Sequence, residues 1–145
     1  MRWLISLALA QQLKAAGLEW TPAGLDFFAV PDRSMDERVF VITDMTVLME
    51  TVHGQAAITF HGVAEWALDY VMMAEVVWLP TETQLRNCLE RRLTSQRQPV
   101  LRLSSTADGY CCEIEQDGQL LSFESFGASE SYGQALLYLL KEATG

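Results

Sequence analysis

The chain has 145 residues, half of them apolar and a fifth charged, which is enough for one domain with its own core and far from a disordered composition. Nineteen acidic residues stand against 10 basic ones, a formal charge of −9, so phosphate backbones and anionic membrane surfaces meet a repulsive field. Nucleic-acid binding is disfavoured on that ground, and no run reaches the roughly 18 apolar residues of a membrane span.

In chain order, Trp3 to Ala10 is apolar but too short for a secretory leader. Ile5, Leu9, Leu13 and Ala16 continue it at helical spacing, with Ser6 as cap and Gly17 as the stop. A folded first helix is expected there. Thr21-Pro22-Ala23-Gly24 reads as a turn, Leu25 to Val30 as a short strand and Ser34 to Glu37 as a polar loop. Val39 to Thr43 is a β-branched and aromatic run, expected to be a strand buried on both faces. Val47 to Val52 and Ala57 to Phe60 follow as strands, separated by His53-Gly54 and closed by His61-Gly62.

Residues 63–74 carry two patterns. Ala64, Ala67, Leu68 and Val71 fit a helix, whereas Trp66, Leu68 and Tyr70 alternate like a strand; a short helix or irregular segment is expected. Glu75 to Leu79 is a strand ending at Pro80. Thr81 then caps a helix with Gln84 as its capping-box partner and an apolar stripe of Leu85, Cys88, Leu89 and Leu93. After a polar loop from Thr94 to Pro99, Val100 to Ser105 reads as a strand.

The clearest signal comes last. Alternating runs flank Asp117-Gly118, a pair that tolerates φ > 0, so Ile114 should face Leu121 and Cys112 should face Phe123. One face is apolar and the other carries Glu113, Glu115 and Glu124. An amphipathic segment from Ser129 to Ala143 follows, with Tyr132, Ala135, Leu136, Leu139, Leu140 and Ala143 on one stripe and Glu130 and Lys141 matching the helix dipole.

The fold expected is therefore α+β: a single domain over residues 1–145, with an antiparallel sheet of about six strands and helices near 6–16, 82–93 and 130–143. The order from Thr81 onward is α-β-β-β-α. A seam at Pro80-Thr81 would divide lobes 1–80 and 81–145.

The residue order also resembles a known family. Leu-Lys-Ala-Ala-Gly-Leu-Glu-Trp at 13–20, Val-Phe-Val-Ile at 39–42, Glu65-Trp66-Ala67-Leu68-Asp69 and Val77-Trp78-Leu79-Pro80 with Gln84-Leu85 resemble small uncharacterised bacterial proteins. Some members are automatically labelled pilus assembly proteins. The resemblance runs over nearly the whole chain. It implies a soluble single-domain protein and supplies no catalytic residues.

Chemistry is thinly marked. No Walker loop, dinucleotide fingerprint, zinc pair or nucleophile elbow is present, and no cofactor is expected. His53 and His61 with Asp44 or Glu65 form a conceivable metal set, but two histidines beside Gly54 and Gly62 read better as turn residues, and no metal is assigned. Cys88, Cys111 and Cys112 are read as free thiols. Adjacent residues on a strand point to opposite faces, so one of Cys111 and Cys112 is expected in the core and the other partly exposed. Free thiols suit a reducing compartment, hence a cytoplasmic location.

Three functions follow. The leading one is a non-catalytic module binding a protein partner through an apolar or acidic surface. The second is a small-molecule-binding or hydrolytic protein using His61, Glu65, Trp66, Asp69, Tyr70 and Trp78, where an acidic i,i+4 pair would lie beside aromatic walls. The third is an RNA-binding module using Arg86, Arg91, Arg92, Arg97 and Arg102. Its element order matches a double-stranded-RNA-binding domain, but Ser129-Glu130-Ser131 stands where a basic cluster would be needed.

Overall fold

The computed structural model describes residues 3–31, 35–42, 46–52, 54–61 and 70–144. Among them the chain is α+β, with three α-helices and nine strands in three three-stranded sheets. It divides into two compact units: Trp20–Trp78, and Met1–Glu19 joined with Leu79–Gly145.

In the first unit, β1 (Phe27–Val30) pairs antiparallel with β2 (Met35–Val41), and β6 (Val77–Leu79) flanks β1 on its other side. A second sheet runs in the order β3 (Thr46–Val52), β4 (Gln55–His61), β5 (Tyr70–Met72), all antiparallel. Phe28, Val30, Ile42 and Val76 form a buried cluster, with Trp20, Phe40 and Met73 packed against it. The buried Asp26 orders the entry to β1, because its Oδ2 accepts from the Trp20 indole N–H at 2.8 Å and from the Ala23 N–H at 3.0 Å.

In the second unit, α1 (Leu7–Ala15) starts at Ser6, whose Oγ accepts from the Leu9 N–H at 3.2 Å, and ends before Gly17 at φ 102°. Helix α2 (Glu82–Leu93) opens on a reciprocal capping box. The Thr81 N–H donates to Gln84 Oε1 at 2.9 Å, and the Gln84 N–H donates to Thr81 Oγ1 at 3.3 Å. Its stripe of Leu85, Cys88, Leu89 and Leu93 is buried.

Strands β7 (Leu101–Thr106), β8 (Gly109–Gln116) and β9 (Gln119–Ser125) form one antiparallel sheet. Asp117 at φ 53° and Gly118 at φ 81° make the two-residue turn, and Ile114 faces Leu121 while Cys112 faces Phe123. Helix α3 (Ala128–Thr144) touches α1, α2, β8 and β9. Glycine at 133 allows the close approach of α1, since a Cβ there would meet Leu9 Cδ2 at 2.8 Å and Ile5 Cδ1 at 3.0 Å. The α3 carboxylate Glu130 reaches across to the start of α1: its Oε1 accepts from the Ser6 N–H and its Oε2 from the Ser6 hydroxyl, both at 2.8 Å. An anion at a helix N-terminus is favoured by the exposed N–H groups and the dipole together.

Several expectations are corrected. Instead of one sheet of about six strands, the described residues form three sheets of three. Most pairings follow sequence-adjacent hairpins, and β1 takes its remaining neighbour, β6, from far along the chain. The expected polar loop at Ser34–Glu37 overlaps β2, which begins at Met35 opposite Val30. Val39, Phe40 and Val41 are half-buried and not sealed on both faces. Leu25 is outside β1. It sits at φ 69° in a turn closed by the Asp26 N–H to Ala23 O at 3.2 Å, and is 71% exposed. Ala143, assigned to the buried stripe of α3, is exposed in the last turn. Helix α1 groups with the C-terminal half and not with the strands that follow it, so the two units do not coincide with lobes 1–80 and 81–145. Of the ambiguous 63–74 segment, Tyr70–Met72 is strand and Met73–Glu75 a 3₁₀ turn; residues 63–69 lie outside the described residues.

Two stability effects are expected. Gly109, at φ 134°, lies where a Cβ would come within 2.5 Å of the Ser125 carbonyl oxygen. Gly109→Ala should therefore cost about 1–3 kcal/mol or more in urea unfolding. Glu130→Ala should cost roughly 1–2 kcal/mol by removing the carboxylate bound to Ser6, whereas Glu142→Ala, on the exposed last turn, should stay within about 0.5 kcal/mol.

Candidate functional site

The β7-β8-β9 sheet is dressed differently on its two faces. Cys112 and Ile114 of β8 are buried on the inner face, where Leu121 and Phe123 of β9 stand opposite them. The outer face carries Glu113 and Glu115 on β8, Ser122 and Glu124 on β9, and Arg102 on β7 opposite Glu113. The register partners of Glu115 and Glu124 are Leu120 and Cys111, both uncharged.

In the sheet order β9 is an edge, and among the described residues no strand pairs with it on the side away from β8. The turn type decides which backbone groups face that side. A two-residue turn makes Gln116 and Gln119 a pair that exchanges hydrogen bonds, and the alternation then continues along the ladder. Residues 119, 121, 123 and 125 bond to β8. Leu120, Ser122 and Glu124 turn their N–H and C=O groups outward, and all three residues are exposed. The register from Tyr110↔Ser125 to Gln116↔Gln119 is unbroken, so no bulge blunts the edge. Apolar groups mark both ends: Leu120 is 53% exposed and Phe126, just past the strand, is 80% exposed.

Beside this edge on the inner side lies a groove of about 420 Å³, between β9, α3 and α1. Phe123, Leu137, Tyr138 and Leu9 supply apolar walls, with Gln134 and Lys141 among its polar groups. The Phe123 and Tyr138 rings are 5.9 Å apart and tilted by 52°. Serine hydroxyls fix the α3 end of β9: buried Ser131 lies 2.7 Å from the Ser125 hydroxyl and 3.2 Å from the Tyr110 carbonyl oxygen.

A second depression, of about 560 Å³, lies between the α2–β7 loop and the hairpin tip. Its walls are polar, including Arg97, Glu115 and Asp117, and a Gln96–Gln116 amide hydrogen bond of 3.0 Å crosses the same region. It has no apolar floor to desolvate a ligand.

The residues singled out from sequence fall as follows. Glu65, Trp66 and Asp69 lie outside the described residues, as do Asp44 and His53. His61 ends β4 and Tyr70 opens β5, opposite Thr59, so both belong to the β3-β4-β5 sheet. Trp78 belongs to the other sheet, on β6. It is half-buried and stacks on Trp20, with centroids 6.2 Å apart and planes within 5°. Its indole nitrogen is buried without an acceptor among the described residues. Trp20 also meets Phe28 at 6.0 Å, and Phe28 meets Phe40 at 5.4 Å, so Trp78 is part of an aromatic series that sequence spacing did not connect. Among the described residues no group of three or more His, Cys, Asp or Glu is placed to hold a metal ion.

The arginine zone is spread over several elements. Arg86 pairs with Glu90 at 3.7 Å on α2, and Arg91 donates to Cys88 Sγ at 3.4 Å. Ser129 donates to the Trp3 carbonyl oxygen at 3.0 Å, and Glu130 and Ser131 are likewise engaged, so the first turn of α3 is used internally. No described helix is long and apolar enough to cross a membrane. Neither protein-family models nor curated proteins nor solved structures include a match to this chain.

Cys112 and Cys88 are buried and Cys111 is half-buried, all as free thiols. Burial, reinforced by Cys111 and Glu113, pushes the Cys112 thiol from its ordinary 9.0 up to about 12. Burial also raises the Tyr132 hydroxyl, with Cys112 adding to it. Above pH 9 the unfolded chain releases the Cys112 proton while the folded chain retains it, so this contribution is intact below pH 9 and lost as pH rises toward 12. Tm should therefore fall between pH 8 and pH 10.5, and less steeply in Cys112→Ala. An equal slope in both would remove Cys112 as the cause.

Proposed function

We propose that this protein is a non-catalytic protein-interaction module that takes an extended segment of a partner protein along the outer edge of β9. The observation that carries this reading is an exposed, unbulged edge strand lying directly beside an apolar groove. An added strand gains main-chain hydrogen bonds from the edge, and every second side chain enters the groove, which is how strand addition combines affinity with selectivity. Leu120, near the start of β9 on its outer face, and Phe126, just past its end, are exposed apolar groups along the same edge.

The geometry supplies a selective test. The Ser122 N–H points away from β8, so Ser122→Pro deletes an outward donor while sparing the β8–β9 ladder. Extended peptides selected from a random displayed library against the full chain should lose at least about tenfold in affinity for Ser122→Pro, with Tm changed little. Selected peptides that bind the variant as tightly as the parent would defeat the reading, and so would a library that enriches nothing.

A further inference from the structure

We infer that the segment docked on β9 alternates apolar and basic side chains, the apolar ones entering the groove and the basic ones lying over the acidic outer face. This rests on the β9 reading above and adds the chemistry of the occupant. On an added strand, residues opposite Leu120, Ser122 and Glu124 share their outer face, and the residues between them face the groove. The groove side offers Phe123, Leu137 and Tyr138, so it selects apolar side chains.

The outer side is asymmetric in charge. Arg102 is on β7, at the far edge, where it stands opposite Glu113. Glu124 lies on β9 itself, and Glu115 lies on the adjoining strand opposite Leu120. Both glutamates thus have uncharged register partners, Glu124 on the edge strand and Glu115 on the central one, where it shares the hairpin-tip depression with Arg97. An acidic segment would place like charges across the strand, which is unfavourable, and a basic one would pair with them. The exposed Leu120 gives an apolar bed for the stem of a Lys or Arg reaching toward Glu115. Small Ser122 leaves the centre of this face unobstructed. The formal charge of −9 steers a basic segment toward the chain at long range. It also opposes a second copy of this chain as the occupant, because two acidic outer faces would be brought into one continuous sheet.

The experiment uses three fluorescent, end-blocked peptides of seven residues that alternate Val with Lys, Val with Glu or Val with Thr. Each is titrated by anisotropy against the full chain at low ionic strength. The Val/Lys peptide should bind roughly tenfold or more tightly than Val/Glu, with Val/Thr between them and the gap narrowing in 0.5 M salt. Glu115→Gln with Glu124→Gln should close the gap between the Lys and Glu peptides. Ser122→Pro should weaken all three. Leu137→Glu, on the half-buried groove wall, gives a second test of docking should Ser122→Pro fail to fold.

Equal affinities for the Lys and Glu peptides, lost together in Ser122→Pro or Leu137→Glu, would overturn the basic preference and leave β9 docking standing. Absence of binding by all three, from a chain that stays monomeric, would overturn both. A dimer that Ser122→Pro dissociates, with no peptide binding, would make a second copy the occupant and overturn the inference.

Discussion

Burial of α3 against its neighbours sets the geometry of the discontinuous unit. The helix covers the inner side of the β7-β8-β9 sheet through residues such as Ala135 and Leu136, and packs α1 and α2 along its other sides. Tyr132, Leu136, Leu139 and Leu140 alone bury enough apolar surface for several kcal/mol, at about 1.5–3 kcal/mol per large side chain before conformational entropy is subtracted. The same packing brings α1 close at Gly133 and places Glu130 against Ser6, so the start of one helix depends on the start of another far along the sequence. Hydroxyls of Ser129 and Ser131 tie the first turn of α3 to the Trp3 and Tyr110 carbonyls, which explains why small polar residues are buried there.

The proposed site is a consequence of that packing. Helix α3 is wide enough to cover the inner face of the sheet but leaves a gap between β9 and α1, and the gap is walled by Phe123, Leu137 and Tyr138. Because the hairpin turn has two residues, every second peptide group of β9 is directed away from β8. An edge of this kind is a hazard unless it is polar or occupied. Gln119, Ser122 and Glu124 make it polar, and the groove beside it gives an incoming strand somewhere to place its apolar side chains. The unit Trp20–Trp78 follows a separate logic. Its core is aromatic, Asp26 anchors the Trp20 indole, and Trp78 stacks on Trp20.

Much of the second unit was legible from local rules. Ser6 and Thr81 announce helix starts because their hydroxyls accept free N–H groups, and both do so. Asp117-Gly118 announces a hairpin because both residues adopt positive φ, and the register of Ile114 with Leu121 follows from turn length. Alternation also separated buried Cys112 from half-buried Cys111. The first unit was harder to read. Leu25 has no sequence mark of a left-handed residue; it takes φ 69° because the Ala23–Asp26 turn requires it. Strand β2 begins inside a polar stretch because pairing with β1, and not hydrophobicity, holds Met35 opposite Val30.

By itself the sequence determined the elements whose signals are local: the two capped helices, the final amphipathic helix, the β8–β9 hairpin and its two unlike faces. Those depend on φ preferences, capping and periodicity within a few residues. Tertiary structure alone decided that, among the described residues, nine strands form three sheets, β6 joins β1, α1 belongs with α3, and β9 is left as an edge beside a groove. Each of these is a choice among distant partners of similar apolar character. Such a choice is settled by which faces pack without voids or unpaired backbone, a property no single segment contains.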